Sequence, residues 1–207
     1  MTAPLLFLDI ETAPIPAADP LWLEYVHARG VSQDEAEKLR LLTPLDPMLG
    51  RVVCIGVAGI ADGDVPEVLT GDEADLLAGL GDALRGLRIT LVGHNVRGFD
   101  VPFLGVRARC HRMHGLARDL AAATLIDTRD LWPRVEHYGA PPVPTVRGIT
   151  GASLPSICRA LGLAHPGDTI TGADVATAWE AGDRASVIDH CRADVERVRD
   201  VYRILCH

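Results

Sequence analysis

The chain has 207 residues, 48% of them hydrophobic, which is enough to bury one α/β core and short of two full domains. No run approaches the ~18 consecutive apolar residues of a membrane span, and no basic leader with an apolar core opens the chain, so a cytoplasmic protein is expected. The net charge is −8, with 20 basic residues that are all arginine except Lys38, which argues against holding long duplexes by phosphate neutralisation alone.

Residues 4–10 read as a buried strand, and 13–50 as a helical insertion after it. Within the insertion, Asp19-Pro20 is a helix start, and Ser32-Gln33-Asp34-Glu35 is a capping box for a second helix that Pro44 and Pro47 end. Arg51–Ile60 is β-branched and apolar, a central strand, with a short strand near Val65–Leu69 after Asp62-Gly63. Thr70–Glu73 caps a helix to about Leu87, Ile89–Val92 is a strand, Val101–His114 reads as one helix, and Leu125–Asp127 as a last strand. Residues 133–152 form a Pro- and Gly-rich loop. Ser153 caps a helix that Gly162 ends, a helix at Asp174–Ala181 follows, and Asp183 opens a final helix to Cys206. The alternation predicts a mixed five-stranded α/β sheet flanked by helices, with residues 1–207 as a single domain.

Four acids stand out against this frame. Asp9 and Glu11, two apart in a strand, project to one face. Asp100 follows a short strand and a turn in Gly93-His94-Asn95-Val96-Arg97-Gly98-Phe99-Asp100. In the final helix Val187, Cys191, Val198, Val201 and Leu205 make an apolar stripe, and Asp194 falls on it. An inward carboxylate is costly unless it is paired or bound to metal. His190 lies one turn before Asp194 on the same face. The bland alternative for Asp194, a buried pair with an arginine, loses weight beside the other three acids.

Four carboxylates offer the hard oxygen donors that Mg²⁺ or Mn²⁺ prefer. Two such ions roughly 3.5–4 Å apart activate water and stabilise the departing oxygen in phosphodiester hydrolysis. Asp9 is the expected bridging ligand, Glu11 and Asp194 complete the metal that holds the attacking water, and Asp100 serves the other. His190 is the general base or the group that positions the water. Asn95 either bonds backbone or orients a phosphate. Of Phe99 and Phe103, Phe99 reads as core, while Phe103 either packs in the core or lines the pocket beneath a terminal base.

The segments FLDIET, HNVRGFD and HCRAD together resemble the DEDD superfamily of 3′→5′ exonucleases, which share a ribonuclease H-like fold. Residues 153–202 further resemble predicted exonucleases related to the proofreading domain of family B DNA polymerases. The resemblance covers most of the chain outside 13–50. It implies Asp9, Glu11, Asp100 and Asp194 as metal ligands, with Ile10 and Thr12 beside the terminal nucleotide. One position departs from the pattern: His190 stands four residues before the last acid, the spacing at which one branch carries Tyr, whereas the His of the other branch stands five before it.

The expected substrate is the 3′ end of single-stranded DNA or RNA, DNA slightly favoured. Short RNA is a second reading, and an inactive nucleic-acid-binding or partner-docking module a third. A polymerase or repair partner fits the resemblance without being specified by it.

Weaker signals remain. Cys110-His111 and His114 read as a polar helix face better than as a zinc site. Arg107, Arg109, Arg112 and Arg118, with Arg134 and Arg147 on the loop, are phosphate-contact candidates for which solvated surface is the simpler reading. The five dispersed cysteines suit reduced thiols.

Overall fold

The computed structural model describes residues 3–61, 63–131, 153–163 and 169–206. The loop expected at 133–152, with Arg134 and Arg147, lies outside them. The sheet has five strands, β1 (Leu5–Pro14), β2 (Gly50–Ala58), β3 (Glu67–Thr70), β4 (Thr90–Gly93) and β5 (Thr124–Asp127), in the order β3-β2-β1-β4-β5. The β1–β2 and β2–β3 pairs are antiparallel, and β1–β4 and β4–β5 are parallel. This is the mixed five-stranded sheet that the alternation predicts, with the first strand at its centre. β1 runs four residues past the expected end, because its partner β2 continues beside it to Gly50.

The alternation of β1 sorts its residues onto two faces. Leu8 and Ile10 pack against α3 (Glu73–Leu84), α4 (Asp100–Cys110) and α5 (His114–Ala122), in a cluster with Leu77, Leu80, Phe103, Leu104 and Leu120. Phe7 on the other face meets Ile157 of α7 (Leu154–Ala160) and Val195, Val198 and Val201 of α9 (Arg184–Cys206). Ala13 and Cys54 join Val175 and Trp179 of α8 (Val175–Glu180), with Val187 and Cys191, in the cluster next to it. A short helix, α6 (Thr128–Leu131), follows β5 directly.

The helix expected over 101–114 is two helices. Arg112, in the left-handed region at φ 59°, breaks the chain between α4 and α5. In the insertion, α1 (Pro20–Arg29) and α2 (Gln33–Arg40) carry the predicted Asp19 cap and the Ser32–Glu35 capping box, with Glu35 N 3.4 Å from Ser32 Oγ. Ile15, Trp22, Ala36 and Leu49 give these helices a small core of their own. Arg40 fastens them to the main body, donating to Glu180 Oε2 at 2.5 Å and to the Ile15 carbonyl at 3.3 Å.

Two contacts set how α9 and the central strands meet. Gly56 stands opposite Asp9, and a Cβ there would lie 2.7 Å from Val195 Cγ2 and 2.9 Å from Cys191 Sγ, so α9 rests directly on the β2 backbone. The β1–β2 register shifts after Glu11, pairing Glu11 with Cys54 and Thr12 with Val52, which leaves Val53 as the extra residue of a bulge. The amide of Val52 donates to Glu73 Oε1 at 2.8 Å.

No helix of the described residues is long and apolar enough to cross a membrane. All five cysteines are free, with Cys54, Cys158 and Cys191 buried.

Candidate active site

A cavity of about 520 Å³ opens over the second half of β1 and the end of β4, and Asp9, Ile10, Glu11, Thr12, Asp100, His190 and Asp194 all line it. Each acid arrives by a different local device. Asp9 and Glu11 come from the same face of β1. Asp100 is the first residue of α4; its Oδ1 accepts from the Ile10 amide at 3.2 Å, which ties the second motif to the backbone between the first two acids. Asp194 projects from α9 and is gripped by Arg197, one turn on, whose Nη1 donates to Oδ1 at 2.6 Å. Burying an arginine costs several kcal/mol unless it is well paired, and Asp194 does have the buried arginine partner that the sequence offered as its alternative, while also lining the cavity.

His190 is buried, with Nε2 3.7 Å from Glu11 Oε1 and 3.8 Å from Asp194 Oδ2. It therefore stands between the acid of the first motif and the acid of the third.

The electrostatics are those of a site short of positive charge. Burial pushes the Asp9 carboxyl well above the usual carboxylate range, and repulsion from Glu11, Asp194 and Asp100 adds to it. Burial likewise raises Asp100 to about 7, against the pull of its backbone hydrogen bonds. Such a set of oxygens could hold a metal ion, whose positive charge would offset both the burial and the repulsion. Ligand atoms of Asp9, Glu11 and Cys191 lie within 4.8 Å of one another. The buried Cys191 thiol is pushed well above its ordinary value, chiefly by burial and then by repulsion from Asp9 and Glu11.

Other expected residues fall elsewhere. Phe103 is 2% exposed in the core, the first of its two expected readings, and does not line the cavity; Phe99, its ring 5.4 Å away, lines it instead of being wholly core. Asn95 does not line this cavity. It sits at φ 63°, donates its amide to Asp127 Oδ1 at 2.8 Å and accepts at Oδ1 from Arg129 Nη1 at 3.0 Å. Arg107, a phosphate-contact or surface candidate, is buried and donates twice to Glu73, at 2.9 and 2.6 Å. Glu73 Oε2 also lies 2.8 Å from His111 Nε2, so this histidine has a carboxylate partner.

Residues that sequence reasoning passed over complete the site. Asp127 holds the turn before Asp100 through the amides of Asn95 and Arg97, at 2.8 and 3.2 Å, and also accepts from the Arg129 amide just after it at 3.0 Å. His94 lines the cavity, as do Leu41, Leu42, Pro44 and Leu45 from the insertion, with Leu42 78% exposed. The helical insertion thus supplies one apolar wall of the acidic cleft.

Sheet order, flanking helices and an acid-lined cleft on the central strands define an α/β protein of ribonuclease H-like fold. The chain superposes over its full length on the family B DNA polymerase of the archaeon Pyrobaculum calidifontis, with a TM-score of 0.62 and 18% identity, and spans 25% of that polymerase. At this identity the likeness establishes the fold. An uncharacterised protein of Methanocaldococcus jannaschii is 28% identical over 173 residues, covering 79% of this chain and 90% of its own length. No family model matches the chain.

Proposed function

We propose that this protein is a metal-dependent 3′→5′ exonuclease that shortens single-stranded nucleic acid. The carrying observation is the convergence of Asp9, Glu11, Asp100 and Asp194, drawn from three separated segments, on one cavity. When bound, Mg²⁺ or Mn²⁺ ions held by these carboxylates would supply activated water and charge stabilisation at the departing oxygen.

The chain's own groups prepare that chemistry. Arg197 and the Ile10 amide hold Asp194 and Asp100 in place before substrate arrives. His190 faces two of the acids and positions the water between them. Phe99 and the leucines of the insertion line the cavity with apolar surface suited to unstacked bases, as an unpaired end requires. The acidic balance of the chain favours such a short footprint over a long duplex.

The test uses 5′-labelled single-stranded DNA and RNA of one sequence, with Mn²⁺ or Mg²⁺, comparing wild type with Asp9→Ala. A ladder shortening from the 3′ end in wild type and absent in the variant supports the reading, and the better-cut sugar identifies the substrate. Metal binding without turnover on either strand would favour a nucleic-acid-binding module.

A further inference from the structure

The apolar wall of the cleft comes from one short segment, residues 41–48, between α2 and β2. Leu41, Leu42, Pro44 and Leu45 line the cavity that holds the four acids, and Leu42 and Leu45 are 78% and 71% exposed. Each end of the segment is tied by a buried arginine. Arg40 donates through Nη2 to Glu180 Oε2 at 2.5 Å and through Nη1 to the Ile15 carbonyl at 3.3 Å. Arg107 donates through Nε and Nη2 to the Glu73 carboxylate, at 2.9 and 2.6 Å, and through Nη1 to the Pro47 carbonyl at 3.2 Å.

Between these ties the turn closes on itself. The Asp46 amide donates to the Thr43 carbonyl at 3.0 Å and the Gly50 amide to the Asp46 carbonyl at 2.6 Å. A Cβ at Gly50 would lie 2.5 Å from the Pro44 carbonyl oxygen, so the turn is seated on the first residue of β2. Arg107 stands about two turns after Asp100 on α4, which makes one rigid helix the link between a carboxylate of the cleft and the opposite wall. Both arginines use the planar fork to reach a carboxylate and a carbonyl at once, which the single ammonium of lysine does not reproduce.

We propose that Arg107 and Arg40 are positioning residues that hold residues 41–48 as a preformed wall for the unstacked base at the 3′ end of a single strand. The inference rests on the nuclease reading above. A wall already fixed removes the cost of ordering the loop when substrate binds, so the two arginines act on affinity for the strand and leave the acids as they are.

Hydrogen exchange of the metal-free protein, read by mass spectrometry, tests the brace without reference to activity. In Arg107→Lys, residues 43–50 should exchange faster while residues 5–10 of β1 exchange as in wild type, because lysine still answers the Glu73 charge and lets go of Pro47. Mn²⁺ affinity by isothermal titration should match wild type. With Mn²⁺ and single-stranded DNA, the Leu42→Ser, Leu45→Ser double variant should raise KM about tenfold with kcat little changed. Arg107→Lys should raise KM about fivefold. Since both act through one wall, Arg107→Lys should add less than about twofold in the double-serine background. Arg40→Lys should repeat the faster exchange and the KM rise from the other end, which keeps the test open should Arg107→Lys fail to fold. Exchange of residues 43–50 equal to wild type in both arginine variants, an undiminished effect in the double-serine background, or a KM rise matched by lost Mn²⁺ affinity would each overturn the proposal. A wild type that cleaves neither DNA nor RNA defeats the nuclease reading, and the substrate role of the wall with it. Cleavage with KM unchanged in both arginine variants defeats this inference alone.

Discussion

The amide of Ile10 donates to Asp100 Oδ1 at 3.2 Å, so the peptide unit between Asp9 and Glu11 holds an acid 90 residues further on. The first two motifs are therefore one construction, joined through backbone before any ion binds. Asparagine at position 100 keeps the acceptor oxygen and removes the charge. Asp100→Asn should lower kcat by ~10²–10³-fold and raise the thermal midpoint of the metal-free protein at pH 8. Differential scanning calorimetry beside single-turnover assays measures both, and a midpoint that falls would contradict the electrostatic account.

The raised carboxyls give a pH dependence of definite sign. Asp9 and Asp100 bind protons more tightly in the folded chain than in the unfolded one. The stability they contribute is fully present below the unfolded carboxyl value of ~3.9, and it is lost as pH rises through about 7 at Asp100. The metal-free protein should lose stability across that window, whereas stabilisation by Mn²⁺ should grow with pH as the ligands ionise. Chemical denaturation at a series of pH values, with Mn²⁺ or with EDTA, tests this; two parallel curves would refute it.

Gly56 sets the depth of α9. A methyl group there meets Val195 Cγ2 at 2.7 Å and Cys191 Sγ at 2.9 Å, so the helix must move off the sheet. Gly56→Ala should cost about 1–3 kcal/mol. Because α9 carries His190 and Asp194 towards β1, activity should fall further than the folded fraction does. Equal losses of activity and folded fraction would mean that the helix accommodates the methyl without shifting the site.

Arg107 is buried and Glu73 half-buried with its carboxylate turned inward, and their charges answer one another. Arg107→Met should cost on the order of 3–5 kcal/mol, the scale of a buried pair left with one partner. Its hydrogen bonds hold the Glu73 carboxyl below the usual range despite burial, so the stability Glu73 contributes is present above ~4.3 and lost as pH falls through its lowered value. Urea titration at neutral pH and at pH 3 measures both effects, and a change within ±0.5 kcal/mol at neutral pH, the size of a surface substitution, would show the pair to be dispensable.

Much of this site was legible because short-range spacing encodes it. Asp9 and Glu11 two apart on a strand, and His190 and Asp194 four apart on a helix, share faces by geometry alone, and the structure brings all four together. What escaped reading depends on partners distant in sequence. Nothing local to Asp127 announces that three amides will converge on it, two of them about 30 residues upstream. Arg107 and His111 looked like surface until Glu73, 34 and 38 residues away, met them. Phe99 and Phe103 are one helical turn apart, so either could face the cleft, and only packing decides. The break at Arg112 was hidden because a residue other than glycine takes the left-handed conformation there.

The bulge after Glu11 has a consequence for errors of folding. A strand that slipped by one residue against β2 would turn Asp9 and Glu11 into the Leu77–Phe103 core and the side chains of Leu8 and Ile10 towards α9. Val53 as the extra residue, with the Val52 amide captured by Glu73, marks a single point along β2 where the ladder can change step. The irregularity thus acts as a registration mark. The mispaired chain forfeits both the Glu73 bond and its apolar face, and the acids are aligned by the same feature that discourages the slip.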